Sequence, residues 1–129
     1  MPETIDLTLE RYRGDTIEFD VFVVKGGLPL DIAAVDLWST FKQNANDSDA
    51  GAIQKTNIAG VASGITKTDA ANGAARVRLA PDDTSGIVIP AEKESVTLEG
   101  DVQIKEADAD TYTVGRVRIV LYRDITRAT

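Results

Sequence analysis

Apolar and polar residues alternate along this chain with a period of two rather than 3.6. In "TIDLTLE", Ile5, Leu7 and Leu9 alternate with Asp6, Thr8 and Glu10. In "TIEFDVFVV", Ile17, Phe19, Val21 and Val23 share one face, with Glu18 and Asp20 on the other. "ARVRLA" sets Val77 and Leu79 against Arg76 and Arg78. "LEGDVQIKE" sets Leu98, Val102 and Ile104 against Glu99, Asp101, Gln103 and Lys105. "GRVRIVLY" sets Val117, Ile119 and Leu121 against Arg116 and Arg118. Each stretch predicts a half-buried antiparallel strand with one wet face.

Turn signals separate these runs: Gly26-Gly27 with Pro29, "NANDSDAG" over 44–51, Asn72-Gly73, Pro81-Asp82-Asp83, and Ala107 to Asp110. Short strands joined by polar turns predict an all-β sandwich of antiparallel sheets with about seven to nine strands. "SGITKTD" adds a short strand and "DDTSGI" one helical turn. No long amphipathic helix, heptad pattern, repeat or low-complexity linker occurs, so residues 1–129 are expected to form a single domain. "VDLWSTFKQ" is less regular, because Leu37 and Phe41 share a parity and Trp38 has the other. Trp38 is therefore either a core anchor or an interface anchor. In the closing hairpin, keeping the apolar residues of both runs on one face requires Val117 to face an even-numbered residue. Arg118 then meets Asp101 or Glu99, and Arg116 meets Gln103 or Asp101.

Composition narrows the chemistry. The chain has 129 residues, 43% hydrophobic and 27% charged, as a globular protein does. A net charge of -7 repels nucleic acid and anionic membrane, so neither is an expected partner. "MPETIDLTLE" lacks the basic and apolar regions of a signal peptide, which points to synthesis in a cytoplasm. Cys and His are both absent. Thiol nucleophiles, serine–histidine dyads, zinc sites of the usual kind and imidazole acid–base chemistry are thereby removed.

The remaining motifs read as structure. Arg13-Gly14-Asp15 has the letters of an adhesion tripeptide, but it lies between two alternating runs with room only for a short connection. Glycine suits a corner of positive φ and aspartate accepts turn hydrogen bonds, so it reads as a turn. "NANDSDAG" places its glycine too late for a calcium loop and has no following bidentate glutamate. Asp82-Asp83 reads as the cap of a short turn, and Asp108 and Asp110 as hairpin residues. Gly26-Gly27 is a turn rather than a phosphate cradle, since no helix pattern follows. No catalytic set, metal site or cofactor site is expected.

Three stretches carry a resemblance. "RGDTIEFDVFVVKGGLPLDIAAVDLWSTFKQ", "GITKTDAANGAARVRLAPDDTSGI" and "EGDVQIKEADADTYTVGRVRIVLYRDITR" resemble the opening, middle and closing hairpin of small immunoglobulin-like domains. These domains occur in tail and baseplate proteins of tailed bacteriophages, and among them the chain resembles the baseplate upper protein N-terminal domain. The resemblance implies an immunoglobulin-like sandwich and a non-enzymatic structural component of a phage or prophage tail. Its expected partners are other tail or baseplate proteins, or further copies in a ring, and its expected place is the virion, after synthesis in the bacterial host cytoplasm. Relatives often continue into a stem, whereas this chain ends at Thr129, which suggests an adaptor or decoration.

Two rival readings stand beside it. A bacterial adhesion or carbohydrate-binding module is one, although aromatic residues form only 5% of the chain, thin for stacking on sugar rings. A small enzyme using Asp and Glu is the other, without a recognisable acid–base pair. On the leading reading the candidate contact residues are Trp38 and an outer face bearing Arg116, Arg118 and Tyr122, residue types enriched at interfaces.

Overall fold

A computed structural model describes residues 5–43, 52–58, 64–105 and 111–123. The "NANDSDAG" loop and the turn carrying Asp108 and Asp110 lie outside them. The chain forms β1 (Ile5–Tyr12), β2 (Ile17–Phe22), β3 (Val24–Lys25), β4 (Leu28–Pro29), β5 (Asp36–Lys42), β6 (Ile53–Thr56) and β7 (Ile65–Asp69). β8 (Ala74–Leu79), the helical turn α1 (Pro81–Ser85), β9 (Ser95–Lys105) and β10 (Thr111–Tyr122) follow. A five-stranded sheet has the order β1-β10-β9-β5-β6 and a three-stranded sheet the order β2-β8-β7. β3 and β4 make a small ribbon across the expected Gly26-Gly27 turn.

The alternating residues point where their parity predicts. Leu98, Val102, Ile104, Val117, Ile119 and Leu121 of one sheet bury against Ile17, Phe19, Val77 and Leu79 of the other. Phe19 and Phe41 meet across the sandwich at 6.1 Å between ring centroids and 82° between planes. Such an edge-to-face pair adds about 0.5–1.5 kcal/mol beyond its area. Ser39 is the polar member of the inward row on β5, and its buried hydroxyl donates to the Asp101 carbonyl at 2.8 Å.

The first strand corrects the all-antiparallel expectation, because β1 pairs with β10 in parallel, from Ile5 beside Gly115 to Tyr12 beside Tyr122. Alternation specifies which face a side chain takes but not the direction of the neighbouring strand. Direction is decided at Arg13-Gly14-Asp15, which sends the chain from one sheet into the other. The Asp15 N–H donates to the Tyr12 carbonyl (3.2 Å), and Gly14 has φ 84°. The Gly14 N–H donates to the buried Thr84 hydroxyl at 2.9 Å, and the Arg13 guanidinium to the Ile87 carbonyl at 2.9 Å. The tripeptide is a tied corner.

The closing hairpin keeps the expected parity over most of its length, with Arg116 beside Asp101, Val117 beside Gly100 and Arg118 beside Glu99. Between Thr113 and Gly115 the register shifts by one, leaving Val114 as an extra buried residue. This bulge puts Tyr112 beside Ile104, a pairing of two even numbers. The other side of the sandwich is tied shut. Gly64 donates to the Thr56 carbonyl of β6 (3.2 Å) and accepts from the Arg78 N–H of β8 (2.8 Å). Lys55 reaches Asp83 at 2.9 Å. Asp83 also accepts the Ala80 N–H at 2.6 Å, so it caps α1 as expected, while Asp82 is exposed.

Candidate interaction surface

The outer face of the five-stranded sheet is built by the residues left over once the core has taken the opposite parity. Its cross-strand rows follow from the register. One runs Asp6, Arg116, Asp101, Thr40 and Gln54, and the next runs Thr8, Arg118, Glu99 and Lys42. Towards one end come Tyr12, Tyr122 and Ser95; towards the other lie Gln103, Trp38 and Thr56. All four candidate residues, Trp38, Arg116, Arg118 and Tyr122, therefore lie on one face.

They do not converge on one spot. Trp38 sits beside Gln103 and Tyr122 beside Ser95, eight positions apart on β9, or roughly 26 Å of strand. Trp38 is half-buried, on the face opposite to the buried Leu37 and Phe41 of the same strand. Between the two ends an open depression of about 1080 Å³ is lined by Asp6, Thr40, Lys42, Glu99, Asp101 and Arg116, among others. Arg118 bonds Glu99 at 3.2 Å across the strands. Both groups are about half exposed, so the pair contributes about 0.2–1 kcal/mol.

Two groups on this face have shifted titration. Asp101 is held above the usual carboxylate range by its partial burial; nearby Lys42 and a hydrogen bond from the Thr40 backbone oppose that shift. Tyr122 is held above the usual phenol range by the charge of Glu10 and by the hydrogen bond its hydroxyl donates to that carboxylate at 3.2 Å. Its ring lies 6.1 Å from that of Tyr12, which is 49% exposed. Below this pair, the Arg123 guanidinium donates to the carbonyls of Ile89, Pro90 and Lys93 at 3.0–3.3 Å and fixes the loop that walls a second recess.

Asp101, Lys42 and Tyr12 belong to this face and were not among the sequence candidates. Parity alone would have found Tyr12, since it continues the series Asp6, Thr8 and Glu10. The partial burial of Asp101 has no sequence signal, because it depends on which side chains flank it in the assembled sheet. The outer face of the smaller sheet is also polar, with Arg76 bonded to Asp20 at 3.0 Å and Arg78 to Glu18 at 3.5 Å. Among the described residues no cluster of three or more acidic groups could hold a metal ion. No helix among them is long and apolar enough to cross a membrane.

No family model matches this chain, and no curated protein matches it in sequence. In fold it is similar to a solved structure, the N-terminal domain of phage TP901-1 ORF48, with a TM-score of 0.53 and 8% sequence identity. The match covers 93% of this chain and 97% of that one. At that identity the likeness is one of fold alone.

Proposed function

We propose that this chain is a non-enzymatic structural component of a phage tail or baseplate, acting as an assembly or adaptor module through protein–protein contacts. The observation that carries the reading is the fold likeness to the phage TP901-1 ORF48 N-terminal domain over nearly the whole of both chains. The strand order supports an immunoglobulin-like assignment, with first and last strands side by side in parallel at the edge of one sheet. The contact face of this proposal is the outer face of the five-stranded sheet, with Trp38 and Tyr122 as its aromatic ends and Arg116 and Arg118 between them. Aromatic and arginine side chains at a broad, shallow face suit contact with another protein better than enclosure of a small molecule. The partners would be other tail or baseplate proteins, or further copies of the chain closing into a ring.

The test is mass spectrometry of purified particles encoded by the same genome, with co-sedimentation of the chain and its neighbouring structural proteins. The chain should appear in the particles at a fixed stoichiometry. Its absence from them, together with binding on a glycan array, would replace this reading with the carbohydrate-binding one.

A further inference from the structure

We infer that β1 is an acceptor edge for an extended segment of a partner protein bearing Lys or Arg four residues apart. This goes beyond the proposed contact face, because it uses the rim of the sheet, and it does not need the phage reading. Among the described residues no strand pairs with the second edge of β1. In a parallel ladder the backbone groups of successive residues point alternately to the two sides. The Arg13 N–H donates to the Tyr122 carbonyl, so odd-numbered residues face β10 and even-numbered ones face outwards. Two outward carbonyls confirm the phase: that of Tyr12 accepts from Asp15, and that of Glu10 accepts from the exposed Arg11 guanidinium at 2.7 Å. The N–H groups of Asp6, Thr8 and Glu10 then lie along the open rim, with the carbonyls of Asp6 and Thr8.

Natural edge strands are commonly guarded by charged side chains, proline, a bulge or shortness. β1 has eight residues, pairs without a register shift and contains neither proline nor lysine; its charged residues are Asp6, Glu10 and Arg11. The far side of the sandwich, by contrast, is tied by Gly64 and by the Lys55–Asp83 pair. On the remaining edge, β2, Asp20 and Glu18 are in ion pairs with Arg76 and Arg78, whereas Glu10 on β1 accepts from the neutral Tyr122 hydroxyl.

Charge identifies the occupant. Away from the Asp36–Lys105 pair at one end, the outer-face columns alternate in sign: Lys42 on β5, Glu99 and Asp101 on β9, Arg116 and Arg118 on β10, Asp6 and Glu10 on β1. The next column should be basic. A strand centred opposite Thr8 would set basic residues beside Asp6 and Glu10, with apolar residues between them beside the half-buried Leu7 and Leu9. A second copy of β1 paired antiparallel about Thr8 would set Asp6 against Glu10, acid against acid.

The probes are two fluorescent peptides, GKVTVKG and its acidic counterpart GEVTVEG, tested against the full chain by anisotropy and by NMR amide exchange. The basic peptide should bind about tenfold more tightly or better, with exchange slowed at Asp6, Thr8 and Glu10. Thr8→Pro removes an outward N–H and should abolish binding while the melting curve is kept. Should that variant fail to fold, the double reversal Asp6→Lys with Glu10→Lys decides, because it should invert the preference between the peptides. Equal binding of both peptides, no binding at millimolar concentration, protection elsewhere, or self-association lost with Thr8→Pro would each overturn the inference.

Discussion

The ring of Phe41 lies across Gly100 on the neighbouring strand, in the space that a β-carbon at position 100 would occupy. The glycine therefore has a packing purpose, since its bare backbone lets the largest fully buried side chain of the core lie flat on β9. Gly100→Ala should destabilise the fold by about 1–3 kcal/mol through overpacking. In urea denaturation, combining it with Phe41→Leu should cost less than the sum of the two single changes.

Two corner glycines should differ in cost. At Gly14 a β-carbon would meet nothing nearer than the Ser85 side chain at 4.0 Å, so Gly14→Ala suffers only from its φ of 84°, about 1 kcal/mol. At Gly73, with φ 75°, a β-carbon would also press on the Val23 carbonyl at 2.5 Å and the Leu30 carbonyl at 2.8 Å. Gly73→Ala should cost about 3 kcal/mol or more. Asp15→Glu, which removes the adhesion letters, should leave both the melting temperature and partner binding unchanged.

Asp83 and Asp82 should separate by role. Asp83→Ala removes the bond to the Ala80 N–H and leaves the mostly buried Lys55 without its carboxylate, a loss of about 2 kcal/mol in chemical denaturation. Asp82→Ala should stay within about 0.5 kcal/mol of the parent. Equal losses would mean that the tie between β6 and α1 is not made by Asp83.

Asp101 should give the stability curve a particular slope. Its carboxyl is held above its unfolded value, so the folded state binds the proton more tightly. That contribution is complete below the unfolded pKa of about 3.9 and is lost as pH rises through the folded value. Relative to the parent, Asp101→Asn should therefore gain stability as pH rises from about 3 to 7. Thermal melts of both proteins across that range measure the difference, and parallel curves would contradict the assignment.

The outer face makes a spatial prediction. Trp38 and Tyr122 mark opposite ends of one surface, so a partner covering the whole sheet should weaken with Trp38→Ala and with Tyr122→Ala alike. A partner seated at one end should respond to one substitution and ignore the other. Sedimentation with the neighbouring structural proteins distinguishes these cases, and indifference to both would move the contact off this face.

Much of the architecture was written in residue parity. Which side chains of β2, β8, β9 and the stretch of β10 after its bulge enter the core follows from alternation alone, because a strand offers only two directions and water decides between them. The turns at Gly14, Gly26-Gly27 and Gly73 were legible for a similarly local reason, since few residues tolerate positive φ. Strand direction and neighbourhood were not legible. The parallel pairing of β1 with β10 joins residues more than a hundred positions apart, and nothing in "TIDLTLE" names its partner. The bulge at Val114 is likewise invisible in the alternation of either strand, because it belongs to their pairing. The candidate face was readable as parity, in Arg116, Arg118 and the misplaced ring of Trp38, but not as a surface. That Trp38 and Tyr122 stand far apart, that Tyr12 joins one of them and that Asp101 is shielded at the centre arise only when five strands lie side by side. Shielding and distance are properties of neighbours, and in a sheet the neighbours come from distant parts of the chain.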